Sequence, residues 1–205
     1  TGAMEGAIIN TLSPGDRVLS ISIGVFGDRF GQIAEAYRVD VVKLPIEYGD
    51  AADPEEIGKA LKADASIKAV LITHNETSTG ITNDLAAIAK VVREYDRLTL
   101  VDAISSVGCI PVQTDEWDLD VVVTGSQKGF MVPPGLAFAA VGPRALEAAK
   151  TATLPRFYFE FSRAFSYYDQ GQTPWTPAVS VMFSLDLALK KMMADGMGAV
   201  YEKHA

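Results

Sequence analysis

The sequence predicts an α/β fold of three layers, α/β/α, around a mainly parallel sheet. Two observations lead there. Short apolar runs rich in Val, Ile and Leu alternate along the chain with amphipathic segments of helical period. Strands alternating with helices imply parallel pairing, with helices covering both faces of the sheet. Composition agrees: 205 residues, 48% hydrophobic and 21% charged, suit one domain with a substantial core.

Each element has a local reason. Thr1–Leu12 reads as a helix, stopped near Ser13-Pro14-Gly15. Arg17–Ile23 is a strand carrying Val18, Leu19, Ile21 and Ile23. Asp28–Tyr37 places Phe30, Ile33, Ala34 and Tyr37 on one helical face, and Val39–Leu44 is the next strand. Asp53-Pro54 opens a helix through Lys62, with proline at its favoured first position. Ile67–Thr73 is a strand leading into the polar loop His74–Gly80. Asn83 is read as the cap of a helix ending at Tyr95. Leu98–Val101 and Val121–Val123 are strands, and Leu136–Val141 is another after the Pro133-Pro134-Gly135 turn. Pro143–Thr151 and Ser180–Ala194 are helices. The segment Phe157–Tyr168 holds seven aromatics. It reads as a loop or short helix packed on the core, with an interface as the alternative.

Several classes fall away. A net charge of −8 argues against a general nucleic-acid binder. No stretch is apolar enough for a bilayer helix, and a cytoplasmic location fits. Cys109, the single cysteine, rules out an internal disulfide framework and reads as a buried, inert thiol. There is no nucleophile elbow, Walker loop or GxGxxG, and His74 and Glu76 lack zinc-ligand spacing.

What remains is a set of polar clusters at strand ends. Ile67–Thr73 runs into His74-Asn75-Glu76-Thr77, Leu98–Val101 into Asp102, and Val121–Val123 into Ser126-Gln127-Lys128. In open α/β sheets, ligands sit beyond the carboxyl ends of the strands. A lysine at one end and an acid at another suit pyridoxal 5′-phosphate. Lys128 would form the Schiff base and act as base at the substrate Cα, while Asp102 would hold the pyridinium proton. Backbone N–H groups at Thr1-Gly2-Ala3 offer a phosphate site. Phe26 offers a stacking face. Taken singly, each has a plainer reading: a solvated loop lysine, a capping aspartate, an N-cap threonine, a core phenylalanine.

Together the motifs resemble the class V aminotransferases of pyridoxal phosphate fold type I, in particular the alanine–glyoxylate and serine–pyruvate branch. The matching runs are Thr1-Gly2-Ala3-Met4-Glu5, Leu12-Ser13-Pro14-Gly15-Asp16, Gly24-Val25-Phe26-Gly27-Asp28-Arg29, Thr73 to Gly80, Val101-Asp102-Ala103, Gly125-Ser126-Gln127-Lys128, Pro133-Pro134-Gly135 and Thr176-Pro177. The resemblance implies that Lys128 carries the lysine aldimine and Asp102 pairs with the pyridinium. It makes Phe26 the stacking aromatic and Thr77 the hydroxyl near the cofactor O3′. Gln127, Thr1 and Gly2 fall in the phosphate region, and Thr176 matches a residue reaching the neighbouring subunit's cofactor phosphate. It implies a homodimer with shared active sites, working on a small amino acid (alanine or serine) and a small 2-oxo acid (glyoxylate or pyruvate). Within the same fold, a phosphonate transaminase or a cysteine desulfurase-like lyase are the alternatives. Residues 1–205 are expected to be the cofactor-binding large domain. The start of the family's phosphate loop and its small C-terminal domain, with the arginine that clamps the substrate carboxylate, are expected to lie outside this stretch.

Overall fold

The computed structural model describes residues 1–204. In chain order the elements are α1 (Gly2–Thr11), β1 (Arg17–Ile21), α2 (Val25–Ala36), β2 (Asp40–Leu44), α3 (Pro54–Ala63), β3 (Ile67–Thr73), β4 (Asn75–Glu76), β5 (Ile81–Thr82), α4 (Leu85–Glu94), β6 (Leu98–Asp102), β7 (Val121–Gly125), β8 (Ala137–Val141), α5 (Pro143–Thr151), α6 (Phe161–Tyr168), α7 (Val179–Asp195) and α8 (Met197–Glu202). The main sheet has the order β2-β1-β3-β6-β7-β8. Its first five strands are parallel and β8 runs antiparallel to β7.

Alternation along the strands sorts the core into two layers. Val18, Leu71, Leu100, Val121 and Val123 meet Met4 and Ile8 of α1, Phe30 and Ala34 of α2, and Ala145 of α5. Leu19, Ile21, Val70, Ile72, Val101 and Val122 meet Ile57 and Leu61 of α3 and Ile88 and Val92 of α4. Helices therefore cover both faces, as the alternating pattern predicts.

Four local readings are corrected. α2 begins at Val25, three residues before Asp28, because its first N–H groups find acceptors on a distant loop. Asp84, not Asn83, caps α4, accepting from Ala87 N–H at 3.0 Å. Asn83 instead ties two loops together, donating to Thr73 O at 2.8 Å and accepting from Ala52 N–H at 2.8 Å. The segment after β3 is not simply a loop but a small hairpin, β4 paired with β5. The aromatic segment is not all core: Phe161 is buried, but Phe157, Tyr158 and Tyr168 are 62%, 60% and 76% exposed. Asn10 pins this segment to α1. Its side chain donates to Phe159 O at 2.7 Å and accepts from Phe161 N–H at 2.9 Å.

At the amino ends of β6 and β7, Asp120 is buried and accepts from Thr99 N–H at 2.8 Å, and Arg144 pairs with it at 3.2 Å. Burial pushes the Asp120 carboxyl up, while Thr99 N–H and Arg144 oppose that. Arg144→Met should leave a buried acid without its cation. The expected loss is about 3 kcal/mol, the low end for such pairs because Arg144 is itself partly solvated. Urea unfolding measures it, and a loss within noise would show the pair to be dispensable.

Candidate active site

The strand order reverses around β1. From β1 the chain passes to β2 on one side, then returns to β3 on the other. Crevices at such switch points, outside the carboxyl ends of the strands, are where α/β sheets bind ligands. The loop after β1 leads into α2 here, and the β4–β5 hairpin follows β3.

Asp102 closes β6. It faces Thr73 across one ladder and Val123 across the other. Its carboxylate is buried, with one hydrogen bond among the described residues, from Ile104 N–H at 3.0 Å. Burial pushes Asp102 up to about 6. Ile104 N–H and Arg29 oppose that rise, and Glu76 adds to it. Thr73 Oγ1, opposite Asp102 in the ladder, is buried without a hydrogen-bond partner.

Lys128 lies on the turn after β7, half-buried, with its backbone carbonyl accepting from Met131 N–H at 2.8 Å. Ser126, just before it, is fully buried. Its hydroxyl donates to Pro133 O at 2.8 Å, fixing the loop that carries the lysine. The next residue must be glycine: a Cβ on Gly129 would lie 2.3 Å from Val107 O. The loop bearing Lys128 thus packs directly on the loop that leaves Asp102.

The other expected residues fall in three places. Phe26 sits in the first turn of α2, half-buried, with the Arg29 guanidinium 4.8 Å from its ring centroid. Thr1 and Gly2 begin α1, whose first turn has no side-chain cap among the described residues, and such a helix start suits an anion. Gln127 and Thr77 are exposed. Thr176 lines a groove of about 620 Å³ with Gly2, Gly135, Phe159, Phe165 and Trp175.

Sequence reading gave no role to several neighbours. His74 is buried, in hydrogen-bond contact with Ser106 Oγ at 2.9 Å and edge-on to Trp117. Burial holds it down at about 4, against the pull of Asp84. Glu76 is fully buried at the start of α2. One signal did exist: α2 opens on Gly24, which has no side chain to cap it, so its acceptors had to come from elsewhere.

The aminotransferase class-V profile matches residues 2–205. The chain belongs to the class-V aminotransferase family. It is 45% identical to the small subunit of a soluble hydrogenase from Synechococcus, covering all of this chain and 54% of that protein. It is 38% identical to an L-aspartate–glyoxylate aminotransferase of Paracoccus denitrificans, over all of this chain and 52% of that one. The alanine–glyoxylate aminotransferase of Nostoc superposes with a TM-score of 0.93 at 29% identity, over 99% of this chain and 54% of that one. The chain thus spans about half the length of the relatives it matches.

Pyridoxal phosphate is the cofactor this family implies, and the residues fit it. Asp102 is a buried acceptor without a cation, suited to a ring N–H⁺. Lys128 is a half-buried amine on an adjacent, pinned loop, and α1 presents uncapped N–H groups.

The buried acid predicts a pH effect on the cofactor-free protein. An unfolded aspartate titrates near 4. Folded Asp102 keeps its proton up to about 6, so its contribution to stability falls as pH rises through that window. His74 has the opposite sign: its contribution grows with pH from about 4 to its ordinary value of 6.5. Asp102→Asn removes only the first slope. The variant should gain on the wild type by about 3 kcal/mol between pH 4 and 7, two pH units at roughly 1.4 kcal/mol each. Urea unfolding at both pH values checks this, and a pH-independent difference would refute the burial of an unpaired carboxyl.

Proposed function

We propose that the chain is the cofactor-binding large domain of a pyridoxal phosphate-dependent aminotransferase. It would move an amino group from a small amino acid, alanine or serine, to glyoxylate or pyruvate. The observation carrying this reading is the pair of strand-end groups: an unpaired buried Asp102, and Lys128 on a loop packed against the one Asp102 begins. Both compared aminotransferases name glyoxylate with different donors, aspartate and alanine, which favours the acceptor more than any one donor.

When bound, the cofactor supplies an electron sink for charge developing at the substrate Cα. Asp102 would hold the ring nitrogen's proton; its buried site makes that charge pair strong once formed. Lys128 would attach the cofactor through Nζ and later hold or deliver the proton at Cα. The start of α1 would take the phosphate, with Thr1 and Gln127 beside it, and Phe26 would offer a ring face. Thr77 would meet the cofactor O3′. A desulfurase reading needs a reactive, mobile thiol. Cys109 sits in a turn where its N–H donates to Ser106 O at 2.9 Å, and burial pushes its thiol up while Lys128 pulls the other way.

Borohydride reduction with pyridoxal phosphate, followed by peptide mapping, should place the pyridoxyl group on Lys128. A label on another lysine would overturn the assignment. In the full-length protein, Lys128→Ala should keep the fold and lose turnover.

We further propose a homodimer in which Thr176 reaches the partner's cofactor phosphate. Support comes from the exposed aromatics Phe157, Tyr158 and Tyr168, the last two lining the same groove as Thr176. Sedimentation at micromolar concentration should show a dimer, with an interface above about 2,000 Å². A monomer that still holds the cofactor tightly would refute shared sites.

A further inference from the structure

Two helices begin at the edge where Asp102 ends its strand, and they are treated differently. α1 starts without a side-chain cap. α2 is capped from across the switch point. Phe26 and Gly27 N–H donate to Glu76 Oε2 at 3.0 and 3.1 Å, and Val25 N–H donates to Ser78 Oγ at 3.0 Å. Glu76 Oε1 in turn accepts from Ser78 N–H at 3.0 Å and Ser78 Oγ–H at 2.6 Å. Glu76 is fully buried, and no cation pairs with it among the described residues. Four hydrogen bonds and the positive end of α2 replace its water. Gly24 makes the approach possible: a Cβ there would lie 2.5 Å from both Glu76 Cγ and Ser78 Oγ.

A helix start with free N–H groups attracts phosphate. At α2 those groups are already spent on an internal anion, so α1 keeps the available start. The same two bonds run through the amides of Phe26 and Gly27, so they also set where the Phe26 ring stands. Arg29 covers that ring at 4.8 Å. A ring held at its own backbone by a buried carboxylate, and braced by a guanidinium, is fixed before any ligand arrives.

We propose that Glu76 is a positioning residue for the cofactor: its carboxylate fills the start of α2, keeps the cofactor phosphate off that helix, and fixes the Phe26 ring that faces the cofactor. This rests on the pyridoxal phosphate reading above. The carboxylate touches no substrate; it acts through α2 and Phe26.

The test uses Glu76→Gln in the full protein. The glutamine keeps the volume but turns an NH₂ toward N–H donors, so half the acceptor set is lost. In the cofactor-free variant, amide hydrogen exchange at Phe26 and Gly27 should quicken roughly tenfold or more, while β3 and β6 amides keep their protection. Inorganic phosphate should slow exchange at these two amides in Glu76→Ala, where the helix start is open, and leave the wild type unchanged. With pyridoxal phosphate added, visible circular dichroism per bound cofactor should fall in Glu76→Gln. Unchanged Phe26 and Gly27 exchange would overturn the proposal. So would unchanged dichroism per bound cofactor in a merely less stable variant, since that is the behaviour of a simple helix cap. If Glu76→Gln does not fold, Glu76→Asp, whose shorter side chain withdraws the carboxylate from the Phe26 and Gly27 amides, takes its place in both measurements, with the same outcomes counting for and against. Failure of the wild type to bind pyridoxal phosphate would sink the functional reading and the cofactor role of Glu76 together. The exchange data would then still decide, separately, whether Glu76 holds the helix start.

Discussion

Parallel pairing is the constraint on which this molecule depends. Parallel strands cannot be joined by tight turns, so each return needs a crossover, and every carboxyl end falls on the same edge. β1, β3, β6 and β7 therefore deliver the segments Ser22–Gly27, His74–Thr77, Ala103–Gly108 and Ser126–Lys128 to one rim. The opposite rim carries the stabilising polar work instead, with Arg144 bridging Asp96 and the buried Asp120. The candidate site at one end and the anchoring at the other are separated by the length of a strand.

The binding rim is costly by design of its contacts. Asp102 is buried with a single N–H partner and Thr73 Oγ1 with none. Such groups weaken the fold until something pairs with them. The rim tolerates this because its loops are pinned independently. Ser126 holds the lysine loop to Pro133 and Leu136, Ser105 holds the loop after β6 to Asn75, and Asn83 ties the region after β5 back to Thr73. A group that paired with Asp102 would recover the cost of burying it.

A second polar–apolar boundary runs along the groove between α1, β8 and the aromatic segment. Arg163 lies 4.4 Å from the Phe157 ring centroid and 5.5 Å from that of Trp175, and Tyr158 stacks on Trp175 at 5.4 Å. These rings cluster with one another rather than entering the core. Asn10, buried within α1, holds the strand of backbone behind them. That arrangement suits a surface whose apolar groups meet other protein, and it supports the proposed subunit contact there.

Alternating apolar runs, Asp53-Pro54, Pro143 and the turn before β8 were enough to read the three-layer fold and nearly all its elements, because period, proline geometry and capping are local properties. The places of Asp102 and Lys128, at and just after strand ends, were legible for a related reason: a polar residue following a buried apolar run is visible in the sequence, and parallel topology decides which edge it reaches. The parts that needed the tertiary structure all depend on partners distant in the chain. α2 starts early because Glu76, 50 residues on, accepts its N–H groups. Asn83 is a loop tie rather than a cap because Thr73 O and Ala52 N–H happen to flank it. Asn10 ties Phe159 and Phe161 of the aromatic segment to α1 while Phe157, Tyr158 and Tyr168 lie exposed, and no local pattern distinguishes the two. The electrostatic state of Asp102 likewise depends on burial and on Arg29 and Glu76, residues distant from it in the sequence.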